Sequence, residues 1–114
     1  MGNPVIHFEI GCRDSAATQG FYTELFDWSV ASHGPAAMIN TGSPEGINGH
    51  ISALGHEPHN YTLIYVQVED LEAMVEKAQQ LGGTLVLSPQ VVPGMGRFAW
   101  IKDPEGTLVG LWST

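Results

Sequence analysis

The chain repeats its own grammar. "PEGINGHIS" begins at Pro44, and "PEGTLVGLW" begins at Pro104, 60 positions later. Asp14 and Asp70 each precede a helical pattern and lie 56 apart, as do Leu25 and Leu81. In a chain of 114 residues a repeat of this size leaves room for two copies, too few for a solenoid. Two similar modules that pair are the expected architecture. The offset grows by four between the helices and the PEG copies, and "VVPGMGR" is the expected place for the extra residues.

Each module reads strand, helix, strand, strand, strand. In "VIHFEIG", residues 5–11, Ile6, Phe8 and Ile10 alternate with His7 and Glu9. A period of two with one apolar face predicts a half-buried strand. Asp14 predicts an N-cap for the helix "SAATQGFYTELF", with Ala17, Phe21, Tyr22 and Leu25 as its apolar stripe. Short extended runs follow at about 28–33, 36–42 and 47–53. From Leu63 the pattern restarts. Ile64, Val66 and Val68 alternate with Leu63, Tyr65 and Gln67. Asp70 caps "LEAMVEKAQQL", and Gly82–Gly83 stops it. Runs at about 84–92, 97–102 and 107–113 complete the copy. The modules therefore span about 5–53 and 61–113 of a single domain, joined by the polar "LGHEPHN".

Composition excludes several classes of partner. The net charge is -8, and Lys and Arg together number 4 without a cluster. That argues against nucleic acid as a partner and disfavours an anionic membrane. No apolar run approaches the roughly 20 residues needed to span a bilayer. No signal peptide is visible, and the single cysteine, Cys12, excludes an internal disulfide, so a cytoplasmic location is expected. Charged residues make up 14% of the chain, against about a quarter in an average soluble domain. So little polar surface suggests burial against a second copy, and a homodimer is expected.

"HFEIGCRD" running into "FYTELFDW", "VEDLEAMVEKAQQLGG" and "DPEGTLVGLW" resemble the vicinal oxygen chelate superfamily, which groups glyoxalases, bleomycin-resistance proteins and extradiol dioxygenases. "VVPGMGRFAWIKDPEGTLVGLW" is similar to small bacterial members. The resemblance spans nearly the whole chain. It implies an α+β fold of two tandem βαβββ modules, forming a curved mixed sheet around a small-molecule cleft. It also implies candidate metal ligands on the first and last strand of each module. His7 and His50 occupy two of those positions, while Leu63 and Gly110 occupy the others and cannot ligate. The implied cofactor is a divalent ion, Zn, Ni, Mn or Fe, and Glu9 is the remaining donor on the face of His7.

Two functional classes stay open. One is a metal-free binding protein, for which -8 is compatible with a cationic ligand. The other is an enzyme, either a metal-dependent lyase or dioxygenase using His7, His50 and Glu9, or a metal-free one with His7 as general base and Glu9 as its partner. The resemblance puts His50, Tyr65, Gln67, Trp100, Gly110 and Trp112 along the cleft as ligand-binding candidates. Gly110 leaves room where metal-dependent relatives carry Glu, and Trp112 shares its face. For each histidine and aromatic the structural alternative stands beside the functional one: a hydrogen-bonded polar residue, or packing. "PGMGR" lacks the third glycine, the Lys-Ser/Thr and the helix of a phosphate loop and is expected to be a hairpin turn. His56 and His59 are expected to be loop histidines, and Cys12 an unreactive thiol.

Overall fold

The computed structural model describes residues 1–33, 36–55 and 57–114. The elements run β1 (Val5–Gly11), α1 (Ser15–Phe26), β2 (Ser29–His33), β3 (Ala36–Asn40), β4 (Gly49–Ser52), β5 (Tyr61–Gln67), α2 (Leu71–Gln80), β6 (Thr84–Val92), β7 (Gly96–Lys102) and β8 (Leu108–Ser113). This is the α+β class with two βαβββ modules. The first module orders its strands β2-β3-β4-β1, and the second orders β6-β7-β8-β5, the same arrangement. Each is mixed: β1 with β4 and β5 with β8 are parallel, and the other pairs are antiparallel.

Both helices start as their sequences dictate. The Ala17 N–H donates to Asp14 Oδ1 and the Ala73 N–H to Asp70 Oδ1, each at 3.0 Å. Each bond satisfies a donor that the first helical turn leaves open. At the end of α2, Gly82 takes φ +98, and the Gly83 N–H returns to the Ala78 carbonyl at 2.8 Å. The left-handed position is why glycine closes this helix.

The chain forms two compact units whose limits differ from the module boundaries. One contains residues 7–63, and the other contains residues 1–6 and 64–114. The first unit has a core of Ile10, Cys12, Ala37, Ile39 and Ile51, with Phe8, Tyr22 and Trp28 packed on it. The second has a core of Val68, Leu71, Val75, Ala99 and Leu111.

Several expectations need correction. Phe21 and Leu25 are 60% and 57% exposed, and α1 buries no residue fully, so its stripe reaches the core through Tyr22. On β5 the alternation holds but its burial does not. Leu63 and Tyr65 are buried, whereas Ile64 is 44% exposed. The extra residues of the second module lengthen a strand as well as the turn, since β6 has nine residues against five in β2. Pro89 lies where the β6–β7 register slips between Leu87 and Gln90. Proline has no N–H for the ladder, and β6, at the end of its strand order, tolerates the irregularity. "PGMGR" contains the β6–β7 hairpin turn, with Gly94 at φ +76.

Candidate functional site

The parallel pairing of β1 with β4 sets Glu9 opposite His50. Gly49, opposite Phe8, permits it. A Cβ there would run into the Phe8 carbonyl and ring, so a larger residue would push β4 off β1. Register thus makes neighbours of side chains 41 positions apart.

The polar groups of this face form a chain of contacts. His7 Nε2 lies 2.7 Å from His50 Nδ1. His50 Nε2 lies 3.2 Å from Glu9 Oε1. The Tyr61 hydroxyl donates to Glu9 Oε2. When Glu9 is ionised it only accepts, and the proton between His50 and Glu9 then sits on His50 Nε2. His50 Nδ1 then accepts, and His7 Nε2 donates to it. Tautomers along the chain follow from the carboxylate at its buried end. The Glu9 side chain is 2% exposed and that of His50 18%.

Burial chiefly pushes the His7 pKa down to about 4, His50 lowers it further, and Glu9 opposes the shift. His7 is therefore neutral near pH 7. The Tyr61 phenol is pushed up, first by burial and then by its bond to Glu9, and remains a donor through the physiological range.

The structure brings together the candidates His7, Glu9 and His50 and joins to them Tyr61, which sequence reasoning did not single out. Alternation read from Leu63 starts two residues late and leaves out Tyr61, although Tyr61 lies within the second module at 61–113. Tyr61 has the parity of Tyr65 and Gln67, which was the available signal. Gly11 was missed as well. A Cβ on Gly11 would overlap the Tyr61 ring.

The other candidates belong to the second compact unit. Tyr65 pairs with Gly110, and Gly110 with Trp100. Registered neighbours on adjacent strands present their side chains to the same side. The Trp100 Nε1–H donates to the Tyr65 hydroxyl at 2.8 Å, and Phe98 meets Tyr65 edge-on at 6.2 Å. The room above Gly110 is thus bridged by two aromatic side chains. Trp112 is half-buried and pairs with Gln67 and Phe98. Gln67 lines a cleft of about 480 Å³ with Asn3, Glu69 and Ser113. A cleft of about 440 Å³ in the first unit runs along Cys12, Asp14, Phe21 and Tyr22. Neither includes a member of the His7–Tyr61 chain.

Cys12 is buried, with its thiol 3.6 Å from the Ser52 carbonyl, as an unreactive cysteine should be. His59 lies 3.3 Å from the Glu57 carboxylate, and His56 lies outside the described residues.

A divalent ion does not fit these residues as arranged. A tight site needs at least three converging donors. Among the described residues no group of three or more His, Cys, Asp or Glu is placed to hold one. His50 already engages both ring nitrogens, one with His7 and one with Glu9.

The model of the Glyoxalase/Bleomycin resistance protein/Dioxygenase superfamily matches residues 5–111. The chain belongs to that superfamily. Among curated members, this glyoxalase-superfamily chain is 28% identical over 123 aligned positions to the anthracycline biosynthesis protein DnrV of Streptomyces peucetius, covering 92% of the chain and 45% of that protein. It is 29% identical over 112 positions to a putative glyoxylase, CFP32, of Mycobacterium bovis, covering 91% and 43%. The chain therefore spans less than half the length of these relatives. Solved structures agree on the fold. Methylmalonyl-CoA epimerase from Mycobacterium tuberculosis superposes with a TM-score of 0.66 at 17% identity, covering 96% of this chain and 86% of that one. A hypothetical protein from Bacillus halodurans gives 0.73 at 12% identity, covering 100% and 96%.

Proposed function

We propose that the chain binds a small organic molecule on the polar face of β1 and β4, where His7, His50, Glu9 and Tyr61 recognise it. The observation that carries this reading is the chain of polar groups itself, in which half-buried His7, His50 and Tyr61 converge on the buried Glu9. A carboxylate buried to 2% exposure gives up its hydration, which is costly. An apolar residue at position 9 would serve the core at lower cost. Clusters of this kind concentrate at functional sites.

A panel of small carbonyl, carboxylate and amine compounds, read by thermal shift, tests the reading. A ligand that binds the folded state raises its melting temperature. At least one compound should stabilise the wild type, and His7→Ala should abolish its effect. Equal stabilisation of both proteins would place binding elsewhere. Metal analysis is an independent check. Stoichiometric Zn, Ni, Mn or Fe that disappears in His7→Ala or His50→Ala would overturn a metal-free site in favour of a lyase or dioxygenase.

A second reading is proton transfer without metal, favoured by the neutral state of His7. A proton taken up by the His7 ring can leave from Nε2 to His50 Nδ1 and continue from His50 Nε2 to Glu9. Similarity to a putative glyoxylase supports an enzymatic use. Turnover of a bound compound that persists unchanged in Glu9→Gln would sink it.

The homodimer is part of the same proposal. Phe21, Leu25 and Phe26 are all more than half exposed and adjacent on α1. Sedimentation should report a dimer, and Phe21→Ser with Leu25→Ser should shift it to monomer. A monomeric wild type would contradict it.

A further inference from the structure

We propose that Tyr61 is a positioning residue of this site: seated against Gly11, it donates to Glu9 and thereby fixes the tautomer that His50 presents to His7. The inference rests on the binding reading above but concerns the state of the empty site, so it is tested without a ligand.

The geometry has three parts. First, Gly11 ends β1 on a bare backbone, and the Tyr61 ring occupies the position that a side chain would fill. Second, the hydroxyl so placed donates to Glu9 Oε2, while Oε1 faces His50 Nε2. The two oxygens thus take different donors, which orients the carboxylate plane. Third, when Glu9 is ionised its oriented Oε1 requires a proton donor on His50 Nε2, leaving the lone pair on Nδ1 toward His7. Without the hydroxyl, Oε2 loses this donor, and the orientation that turns Oε1 toward His50 Nε2 is less firmly held. Second partners of this kind fix imidazole tautomers at sites where chemistry depends on them.

A merely structural tyrosine would support the fold without influencing the His50 ring. Tyr61→Phe keeps the ring on Gly11 and removes only the hydroxyl. Ring ¹⁵N NMR of the histidines separates the cases. Wild-type His50 should show one tautomer, protonated at Nε2. Tyr61→Phe should show averaging between both tautomers, with a near-wild-type melting temperature. Gly11→Ala, which displaces the ring, should give the same His50 signature. Unchanged His50 ring shifts in Tyr61→Phe, when Glu9→Gln does change them, would overturn the proposal.

A measurement on the wild type covers the case in which the variants do not fold. The Tyr61 ¹³Cζ resonance should keep its protonated position to the alkaline limit of the folded protein. Ordinary titration near pH 10 would contradict the bond to Glu9. If the tautomer result holds while every compound in the panel fails to bind, the functional reading falls and the positioning role stands.

Discussion

His7 gives the most direct pH signature of the site. Its pKa falls from 6.5 to about 4 on folding, chiefly through burial. Between these values the unfolded chain binds more protons than the folded one, so stability rises with pH. The contribution is complete above about pH 6.5 and is lost progressively as pH falls toward 4. Urea unfolding at stepped pH values should show this slope, and His7→Gln should flatten it. A wild-type curve that is flat across the window would contradict the burial of a neutral His7. Gly110 yields the complementary prediction. Gly110→Glu would force a carboxylate between Tyr65 and Trp100, whose 2.8 Å bond crosses that position. Overpacking typically costs about 1–3 kcal/mol, and the buried charge adds to it. Urea unfolding should show that loss. At this scale sequence reading reached His7, Glu9 and His50, because strand parity exposes them. It missed Tyr61 and Gly11, because their contact depends on how one strand end meets another, which alternation does not encode.

At the scale of elements, the repeat is the most legible feature. The caps Asp14 and Asp70 do what their positions promise, and Asp70→Ala should cost about 1 kcal/mol by urea unfolding. The same register recurs in both modules with different chemistry. β1 and β4 pair Glu9 with His50, and Met38 on β3 lies opposite His50. β5 and β8 pair Tyr65 with Gly110, and Trp100 on β7 lies opposite Gly110. One row is a polar chain and the other an aromatic bridge. Alternation correctly separated the two faces of β5 but could not say which face is buried. Tyr65 is buried because its hydroxyl has Trp100 as a partner, a contact 35 positions away in sequence. The stripe of α1 was misjudged for a related reason. Helical spacing shows that Phe21 and Leu25 share a side of the helix, but not how much of that side the module covers.

Across the whole molecule, composition bears on the class of partner and not on the site. The -8 charge argues against a nucleic-acid partner, and among the described residues no helix is long and apolar enough to cross a membrane. Superfamily membership fixes the scaffold, and one scaffold carries unlike chemistries. The function proposed here therefore rests on the His7–His50–Glu9–Tyr61 chain. The measurement that tests this most directly is histidine-ring and backbone NMR of the protein titrated with a compound that stabilises it. The first resonances to move should be those of His7, His50 and Tyr61, and His7→Ala should remove the response. Shifts confined to Gln67, Glu69 and Ser113, around the 480 Å³ cleft, with the His7 and His50 rings unmoved, would contradict it.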